Sequence, residues 1–347
     1  MPLAAASRTG TRVHAARAVL VVLLALGALA GLGRVHAAPG DSRAEPVPFG
    51  AVAAAGPWRL SVLEVVTGAE ATGRVLAASA LNGAPREGFD YVVARVRAEN
   101  GGDRPRAIDG DDFGLTGSSG LVRRFAGAVA PDPVLDATVG PGEAAEGWVA
   151  FGAPSDETNL LLMYDPLTLA GNWGDRLFAL QQGAAIPDAA APAAEANAVG
   201  VGPGAPAGFN EPIVTGDWQV EVLEVIEGAA IFDLVDFRTG ALGVDEAVNA
   251  DPWLALRVRV TNVGVGGEAA FLPPTAFAVA GADGSPYPDV LRLTPPYPDV
   301  SATYYPGASR EGLVIFELTE EYVGTGLALV RFQPYGADPD ARYFAWR

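Results

Sequence analysis

One eight-residue stretch of this chain occurs twice, almost unchanged. Residues 58–65 read WRLSVLEV, and residues 218–225, 160 positions later, read WQVEVLEV. Further similar pairs occur in the same order, at offsets of up to 166: 45–47 with 211–213, 91–102 with 253–264, 141–151 with 306–316, and 176–180 with 342–346. Self-similarity of this kind is typical of a duplicated domain. The sequence therefore predicts two domains of one fold, at 45–180 and 211–347.

The matching stretches alternate between apolar and polar residues, as β-strands do. In 254–261 the aliphatic residues share one face, and the two arginines lie on the other. This period of two differs from the 3.6-residue period of an amphipathic helix. In the doubled stretch the alternation slips by one residue after Val62 and again after Val222. A β-bulge at both positions would account for the slip.

Turn residues separate many short apolar runs, and this combination favours a β-sandwich. Pro141-Gly142 in the first domain and Pro306-Gly307 in the second are turn formers, each followed by a short apolar strand. The predicted fold is all-β, with two tandem immunoglobulin-like antiparallel sandwiches. Within the second domain, the segment 231–237 could form a short helix.

The segment between the domains, 181–210, consists mostly of Ala, Pro and Gly. Such a composition offers too little apolar surface to offset the entropy of ordering the backbone. We interpret 181–210 as a flexible linker.

The first 38 residues have the layout of a secretory signal peptide. Arg8, Arg12 and Arg17 precede an apolar run over 18–33, which is followed by small residues. The run is shorter than the ~20 residues of a membrane-spanning helix. The sequence predicts an N-terminal signal helix, removed on export, and a secreted protein, with a surface protein tethered by the uncleaved segment as the alternative. Because no Cys follows the run, a lipid-modified mature N-terminus is not expected.

Composition excludes several classes of active site. Both histidines, His14 and His36, lie in the predicted signal peptide, and the chain has no Cys and no Lys. The predicted mature chain lacks the usual general base, thiol and amine nucleophiles, and the commonest zinc ligands. Its 19 arginines against 41 acidic residues give a net charge of about −22, which should repel nucleic acid and anionic lipid. We expect a non-enzymatic protein; a carbohydrate-active enzyme using two carboxylates is the enzymatic alternative.

Three motifs recur in both halves: a Trp-led strand, a strand ending in Asn with Gly close behind, and a P-G-x-x-x-E-G-x-V-x-F stretch. They contain Trp58, Arg97, Asn100, Gly101, Pro141, Gly142, Gly147 and Phe151, and then Trp218, Arg259, Asn262, Gly264, Pro306, Gly307, Gly312 and Phe316. This pattern resembles the telokin-like, immunoglobulin-like domains of bacterial secreted proteins and lipoproteins, which are related to a mycobacterial immunoprotective extracellular antigen. The resemblance implies a fold and an extracellular location, and no established activity.

Two segments are candidate ligand sites. Asp109, Asp111 and Asp112 supply the oxygen ligands that Ca²⁺ prefers, but they lack the spacing of an EF-hand, and a solvated turn is the favoured interpretation. In the second domain, four tyrosines lie among prolines in 285–307: Tyr287, Tyr297, Tyr304 and Tyr305. Exposed tyrosines on a stiff loop would suit recognition of an extracellular protein or glycan, but packing of these tyrosines on the sandwich or its neighbour is the favoured interpretation.

Other aromatic residues at repeat positions are expected in the cores: Trp58, Trp148, Phe151, Trp218, Trp253 and Phe316. The function hypotheses are therefore a binding or adhesion module of the cell exterior and, alternatively, a structural spacer with no ligand of its own.

Overall fold

The computed structural model describes residues 38–124, 128–166, 176–187, 194–233, 253–265, 267–287, 291–293, 299–318, 329–334 and 341–346. Residues Pro39–Arg347 form one compact unit. Apart from Ala38, the predicted signal peptide lies outside the described residues.

Strands dominate the described chain, and the named strands pair antiparallel throughout. The first half contains β1 (Ala53–Ala55), β2 (Trp58–Thr67), α1 (Gly68–Ala78), β3 (Phe89–Asn100), β4 (Arg106–Asp109), β5 (Phe113–Thr116), β6 (Leu121–Val122), β7 (Asp136–Val139), β8 (Ala144–Pro154), β9 (Leu161–Tyr164) and β10 (Arg176–Ala179). The second half contains β11 (Ile213–Thr215), β12 (Trp218–Glu227), β13 (Trp253–Asn262), β14 (Ala270–Leu272), β15 (Phe277–Ala280), β16 (Leu291–Leu293), β17 (Ala302–Tyr304), β18 (Ser309–Glu317), β19 (Leu329–Phe332) and β20 (Arg342–Ala345).

Each half is a β-sandwich, and the strands that the two halves share follow the same order, with β16 as an additional edge strand in the second half. In the first, the sheet β1-β2-β3-β8 packs against β10-β9-β5, and β4-β7 closes one side. In the second, β11-β12-β13-β18-β16 packs against β15-β19-β20, and β14-β17 closes the corresponding side. The all-β fold predicted from the alternation is confirmed. Three-residue 3₁₀ turns, Gly110–Asp112 and Pro274–Ala276, lead into β5 and β15.

Aliphatic and aromatic side chains fill the space between the sheets of each sandwich. The six aromatic residues expected in the cores are all buried: Trp58, Trp148, Phe151, Trp218, Trp253 and Phe316. Trp148 and Trp253 lie on the outer faces of the larger sheets, beneath covering segments, rather than between the sheets.

Both predicted β-bulges are confirmed. The pairing of β2 with β3 shifts register between Val62 and Glu64, and the pairing of β12 with β13 shifts between Val222 and Glu224. In each case the extra residue moves the following glutamate onto the solvent face, opposite an arginine of the neighbouring strand. The alternation slipped in the sequence because the strand accommodates one unpaired residue there.

A helix that the sequence analysis did not predict covers the outer face of the first large sheet. Ala71 and Val75 of α1, one turn apart, are completely buried against Val93 and Trp148. At the corresponding place in the second half, the 3₁₀ segment Gly228–Asp233 places Ile231 against Trp253. The rest of the short helix expected at 231–237 lies outside the described residues.

The described parts of the segment interpreted as a linker pack on the sandwiches. Ile186 is buried and its N–H donates to Arg43. Residues 200–207 run beside β20, because Tyr343 donates to the Gly200 carbonyl and Ala345 to that of Ala207. Satisfied main-chain groups, together with the buried side chains of Ile186 and Ala207, order this Ala- and Gly-rich backbone. Residues 188–193 lie outside the described residues.

The same arrangement occurs at the start of the first sandwich. There, 40–47 runs beside β10, with Leu177 donating to Gly40 and Ala179 to Val47. Left-handed backbone recurs 160 residues apart in four pairs: Gly40 and Gly200, Gly50 and Asn210, Gly56 and Gly216, Gly68 and Gly228. The segment 200–207 therefore has the place in the second sandwich that 40–47 has in the first, N-terminal to the predicted boundary at 211.

Candidate functional site

Tyr304 is not part of an exposed binding loop. Its side chain is completely buried in the second core, where its hydroxyl donates to the Val300 carbonyl at 2.6 Å. Its ring meets Trp218 edge-on, with 5.4 Å between the centroids. The candidate assignment of Tyr304 to a ligand-binding loop is wrong, and the favoured packing interpretation holds, because Tyr304 ends β17 and its inward register places it in the core.

The edge of β17 receives a strand from the other half of the chain. Leu121 pairs with Tyr304 and Val122 with Thr303, so β6 extends the sheet of β14 and β17. On its other side the same segment exchanges two hydrogen bonds between Arg123 and Leu115 of β5, at 2.7 and 2.8 Å. A hydrogen-bonded run therefore crosses from β10, β9 and β5 of the first sandwich to β17 and β14 of the second.

Tyr305 packs beside this contact of β6 with β17, hereafter the junction. Its N–H donates to the Gly120 carbonyl at 2.9 Å, and its ring packs with Val122, Met163 and Ile186 of the first half. The guanidinium of Arg43 lies 4.1 Å from the ring centroid, and the hydroxyl lies 3.6 Å from the Met163 sulfur. Tyr305 is thus a contact between sandwiches rather than an exposed ligand-binding residue, and the packing alternative holds for it.

A buried carboxylate holds the β5–β6 hairpin in shape. The side chain of Glu157 is 2% exposed and accepts hydrogen bonds from the Ser119 N–H at 2.6 Å and the Ser119 hydroxyl at 2.8 Å. Arg123 completes the set with an ion pair at 3.2 Å. Sequence reasoning missed this hairpin, since Ser-Ser-Gly between apolar pairs indicates a turn without indicating what the strand pairs with.

Of the remaining two tyrosines, Tyr287 is described, and it does not form an exposed cluster with Tyr304 and Tyr305. Tyr287 is half-buried against the second core, and its N–H donates to Val279 at 2.9 Å. Tyr297 lies outside the described residues.

The acidic cluster at Asp109, Asp111 and Asp112 is engaged with its own backbone. Asp109 Oδ1 accepts from the Asp111 N–H at 2.9 Å, and Asp112 Oδ2 accepts from the Asp109 N–H at 3.1 Å. This reciprocal capping stabilises the 3₁₀ turn before β5. Burial raises the pKa of the Asp112 carboxyl above its ordinary value. Within the described ranges, no group of three His, Cys, Asp or Glu side chains is placed to hold a metal ion, this cluster included.

The recurring asparagine motif is a buried tie between strands. Asn100 donates to the carbonyls of Arg104 and Val139, both at 2.8 Å, and accepts from the Gly102 N–H. Asn262 likewise donates to Tyr304 and accepts from Gly264, both at 2.8 Å. The Pro-Gly turns close onto the same residues, because the N–H groups of Gly142 and Gly307 donate to the Asn100 and Asn262 carbonyls, again at 2.8 Å. The motif is therefore structural.

Gly147 of the same motif is explained by close backbone approach. A Cβ there would lie 2.4 Å from the Leu135 nitrogen, where the chain entering β7 crosses β8. No side chain fits this crossing.

Arginines and glutamates alternate on the exposed face of each large sheet. Arg95 and Arg97 both reach Glu146, at 2.9 and 3.1 Å, and Arg259 reaches Glu221 and Glu311. The described segments also contain no helix with the length and hydropathy needed to cross a bilayer.

Comparison with known proteins finds a family match over much of the first sandwich. Residues 50–173 match the family model of a domain of unknown function, DUF4352. No curated protein matches the chain. Similar solved structures include a lipoprotein candidate from Bacillus subtilis (14% identity, 37% of each chain, TM-score 0.30) and the yjhA protein of the same organism (13%, 39% of this chain and 99% of that one, 0.28). Another is an uncharacterized β-sandwich protein from Clostridium difficile (10%, 39% and 95%, 0.25). The chain spans 37% of the length of the first of these structures.

Proposed function

We propose that this chain is an exported, non-enzymatic structural module whose two immunoglobulin-like sandwiches act as one rigid body at the cell exterior. The observation that carries the proposal is the junction, in which β6 of the first sandwich adds to β17 of the second and Tyr305 packs against Met163. A shared sheet resists bending more than a tether does, so the distance between the far ends of the sandwiches is held. A spacer needs that property and needs no pocket.

Several further features support the proposal. The matching stretches, and left-handed residues 160 positions apart, favour duplication of one telokin-like domain, which adds length. The leader over 1–38 favours export, and the absence of His, Cys and Lys from the remainder disfavours catalysis.

Rigidity can be measured with spin labels. Since the chain has no Cys, cysteines placed at Leu81 and Val265, which are 91% and 86% exposed, would be its sole labelling sites, one in each sandwich. We expect a narrow distance distribution that broadens in a Tyr305→Ala background and stays narrow with Tyr305→Phe. A distribution in the parent protein as broad as that of a flexible tether would refute the spacer.

Binding of an extracellular protein or glycan is the second candidate, and it is favoured by exposed apolar residues on the first sandwich. Asn82 donates to the carbonyls of Val75 and Val129 and so joins α1 to the segment over β8. Around this joint Leu76, Leu81 and Val129 are exposed. Capture of partners from the producing organism's envelope and secretome by residues 39–347 tests it. A partner lost with Leu81→Ser and Val129→Ser, and retained with Val265→Ser, would establish binding at this surface. Equal capture by all three variants would show that the partner binds elsewhere.

Export and the absence of catalysis have direct tests. Protein recovered from culture medium should begin near Pro39, whereas a chain that keeps its leader and stays with the cells would indicate the tethered alternative. Turnover of any glycan in a broad panel would revive the two-carboxylate enzyme.

A further inference from the structure

Each sandwich has one edge of the kind used in the junction. β17 pairs with β14 on one side, receives β6 on the other, and leads into a Pro-Gly turn. β7 pairs with β4 and leads into the matching turn. Among the described strands, none pairs with the outer edge of β7. An unpaired edge is a template on which a strand of a second copy of the chain could pair, unless the side chains around the edge prevent it.

The end of β7 is built differently from that of β17. At the junction the Tyr305 N–H donates to Gly120, and Ala308 lies so close that a Cβ on Gly120 would sit 3.0 Å from its Cβ. The first sandwich has Gly140 in place of Tyr305 and Glu143 in place of Ala308. There the Glu143 carboxylate folds back and accepts from the Gly140 N–H at 3.1 Å. A charged side chain thus occupies the donor that an added strand would use.

The donating hairpin is also different in the second sandwich. Tyr287 donates to Val279 as Arg123 donates to Leu115, which places Ser285 and Pro286 where the first sandwich has Leu121 and Val122. Proline has no N–H to give to a neighbouring strand. On the adjacent sheet, Arg331 pairs with Tyr343 and Ala278 as Met163 pairs with Leu177 and Gly114. Met163, against which Tyr305 packs in the first sandwich, therefore corresponds to the charged residue Arg331 in the second.

We infer that β17 of the second sandwich accepts a strand only from the first sandwich of the same chain. The outer edge of β7 and the hairpin at 285–287 are the two remaining surfaces of this kind, and both are closed to a second copy of the chain. Gly140 and Glu143 close the accepting edge, and Pro286 and Arg331 close the donating hairpin. The contact joins two unlike surfaces, an accepting edge and a donating hairpin. A chain in which both were open would therefore assemble into a fibre rather than stop at a dimer. Closure of these two surfaces governs assembly and does not depend on whether the module is a spacer or a binder.

Two complementary variants of residues 39–347 test the inference by light scattering after size exclusion. One opens the accepting edge with Gly140→Tyr and Glu143→Ala, which removes the carboxylate that a Cβ on Gly140 would meet at 2.7 Å. The other opens the hairpin with Pro286→Val and Arg331→Met. The unaltered protein and each variant alone should be monomers. Their equimolar mixture should form one-to-one dimers, and all four changes in one chain should give longer assemblies. Glu211→Ala, which removes a similar cap from Gly208 away from these edges, is the matched control and should stay monomeric.

Two results would overturn the inference: concentration-dependent association of the unaltered protein, or monomers only in a mixture of two folded variants. If the variants do not fold, hydrogen exchange on the unaltered protein decides. The Tyr305 amide should be protected and the Thr138 amide should exchange quickly at every protein concentration. Protection of Thr138 that grows with concentration would show that β7 takes up a strand.

Discussion

Before the Pro-Gly turn of each sandwich the chain carries a different residue, Gly140 in the first and Tyr305 in the second. The turn beyond it is the same, since Gly142 and Gly307 both have left-handed backbone, with φ of 75° and 82°. Residues that fix the backbone are shared by the two halves, whereas residues that face another module are not. The shared glycines therefore stabilise the fold of each sandwich, and the differing residues before them decide whether that sandwich accepts a strand.

The tryptophans that open β2 and β12 provide the largest expected effect on stability. Trp218→Ala should cost about 3–5 kcal/mol, because the indole is completely buried and its loss leaves a cavity. Trp58→Ala should cost less within that range, since no aromatic partner like Tyr304 is seen for Trp58 in the described chain. Urea unfolding measures both, and a loss below about 1 kcal/mol for Trp218→Ala would contradict its place in the core.

Removing the junction contact should separate the two sandwiches thermodynamically. Tyr305→Ala loses a ring packed in the apolar cluster between them and should cost about 3 kcal/mol. The single unfolding transition should split in two, because each sandwich then unfolds without support from the other. Calorimetry measures this. Tyr305→Phe is the control, since it keeps the ring and removes a hydroxyl whose interaction with the Met163 sulfur is weak. One unchanged transition in Tyr305→Ala would show that the junction couples nothing.

The buried asparagines sharpen the comparison of shared features. Asn100→Ala and Asn262→Ala should each cost about 1–3 kcal/mol, because carbonyls in the interior lose their donor. Asn100 should cost more, since its amide donates to two carbonyls and that of Asn262 to one. Denaturation of the two variants under one set of conditions checks the order, and equal costs would mean that the Arg104 carbonyl finds water instead.

Much of the fold could be predicted because it is written in local patterns. The alternation in β13 and its slip after Val222 come from side chains pointing to opposite faces of a strand, and that geometry is visible in the sequence. The helix α1 was missed because its buried positions, Ala71 and Val75, are two small residues among others and give a weak period.

The candidate site was predicted poorly because it depends on contacts between distant residues. Tyr304 and Tyr305 looked like an aromatic loop. Tyr304 is instead buried in the second core beside Trp218, and Tyr305 is buried against Val122 of β6, more than 180 residues earlier in the chain. The packing of 200–207 beside β20 was not predicted for a related reason. This segment is held by main-chain hydrogen bonds, which leave no mark on composition.

The exposed charge ladders should contribute least to stability, and similarly in both halves. Glu146→Gln weakens ion pairs with Arg95 and Arg97, and Glu311→Gln weakens one with Arg259. Each should cost about 0.2–1 kcal/mol, and less at high salt, because exposed pairs are screened. Unfolding at low and high ionic strength checks this. A cost that persists in high salt would mean that these pairs are better shielded from solvent than their exposure implies.

The turns before β5 and β15 differ in a way that pH can reveal. Asp112 caps the first turn, and Ala276 occupies the corresponding place in the second. Burial raises the pKa of Asp112 above 3.8, so the folded protein binds this proton more tightly than the unfolded chain does. The resulting stabilisation is complete below 3.8 and is lost as the pH rises through the folded pKa. Asp112→Asn keeps an acceptor for the Asp109 N–H and removes the titration. The stability of the unaltered protein relative to this variant, from urea unfolding between about pH 3 and pH 7, should therefore fall as the pH rises, by less than any effect above. A difference that rises with pH would mean that hydrogen bonds to the carboxylate outweigh its burial.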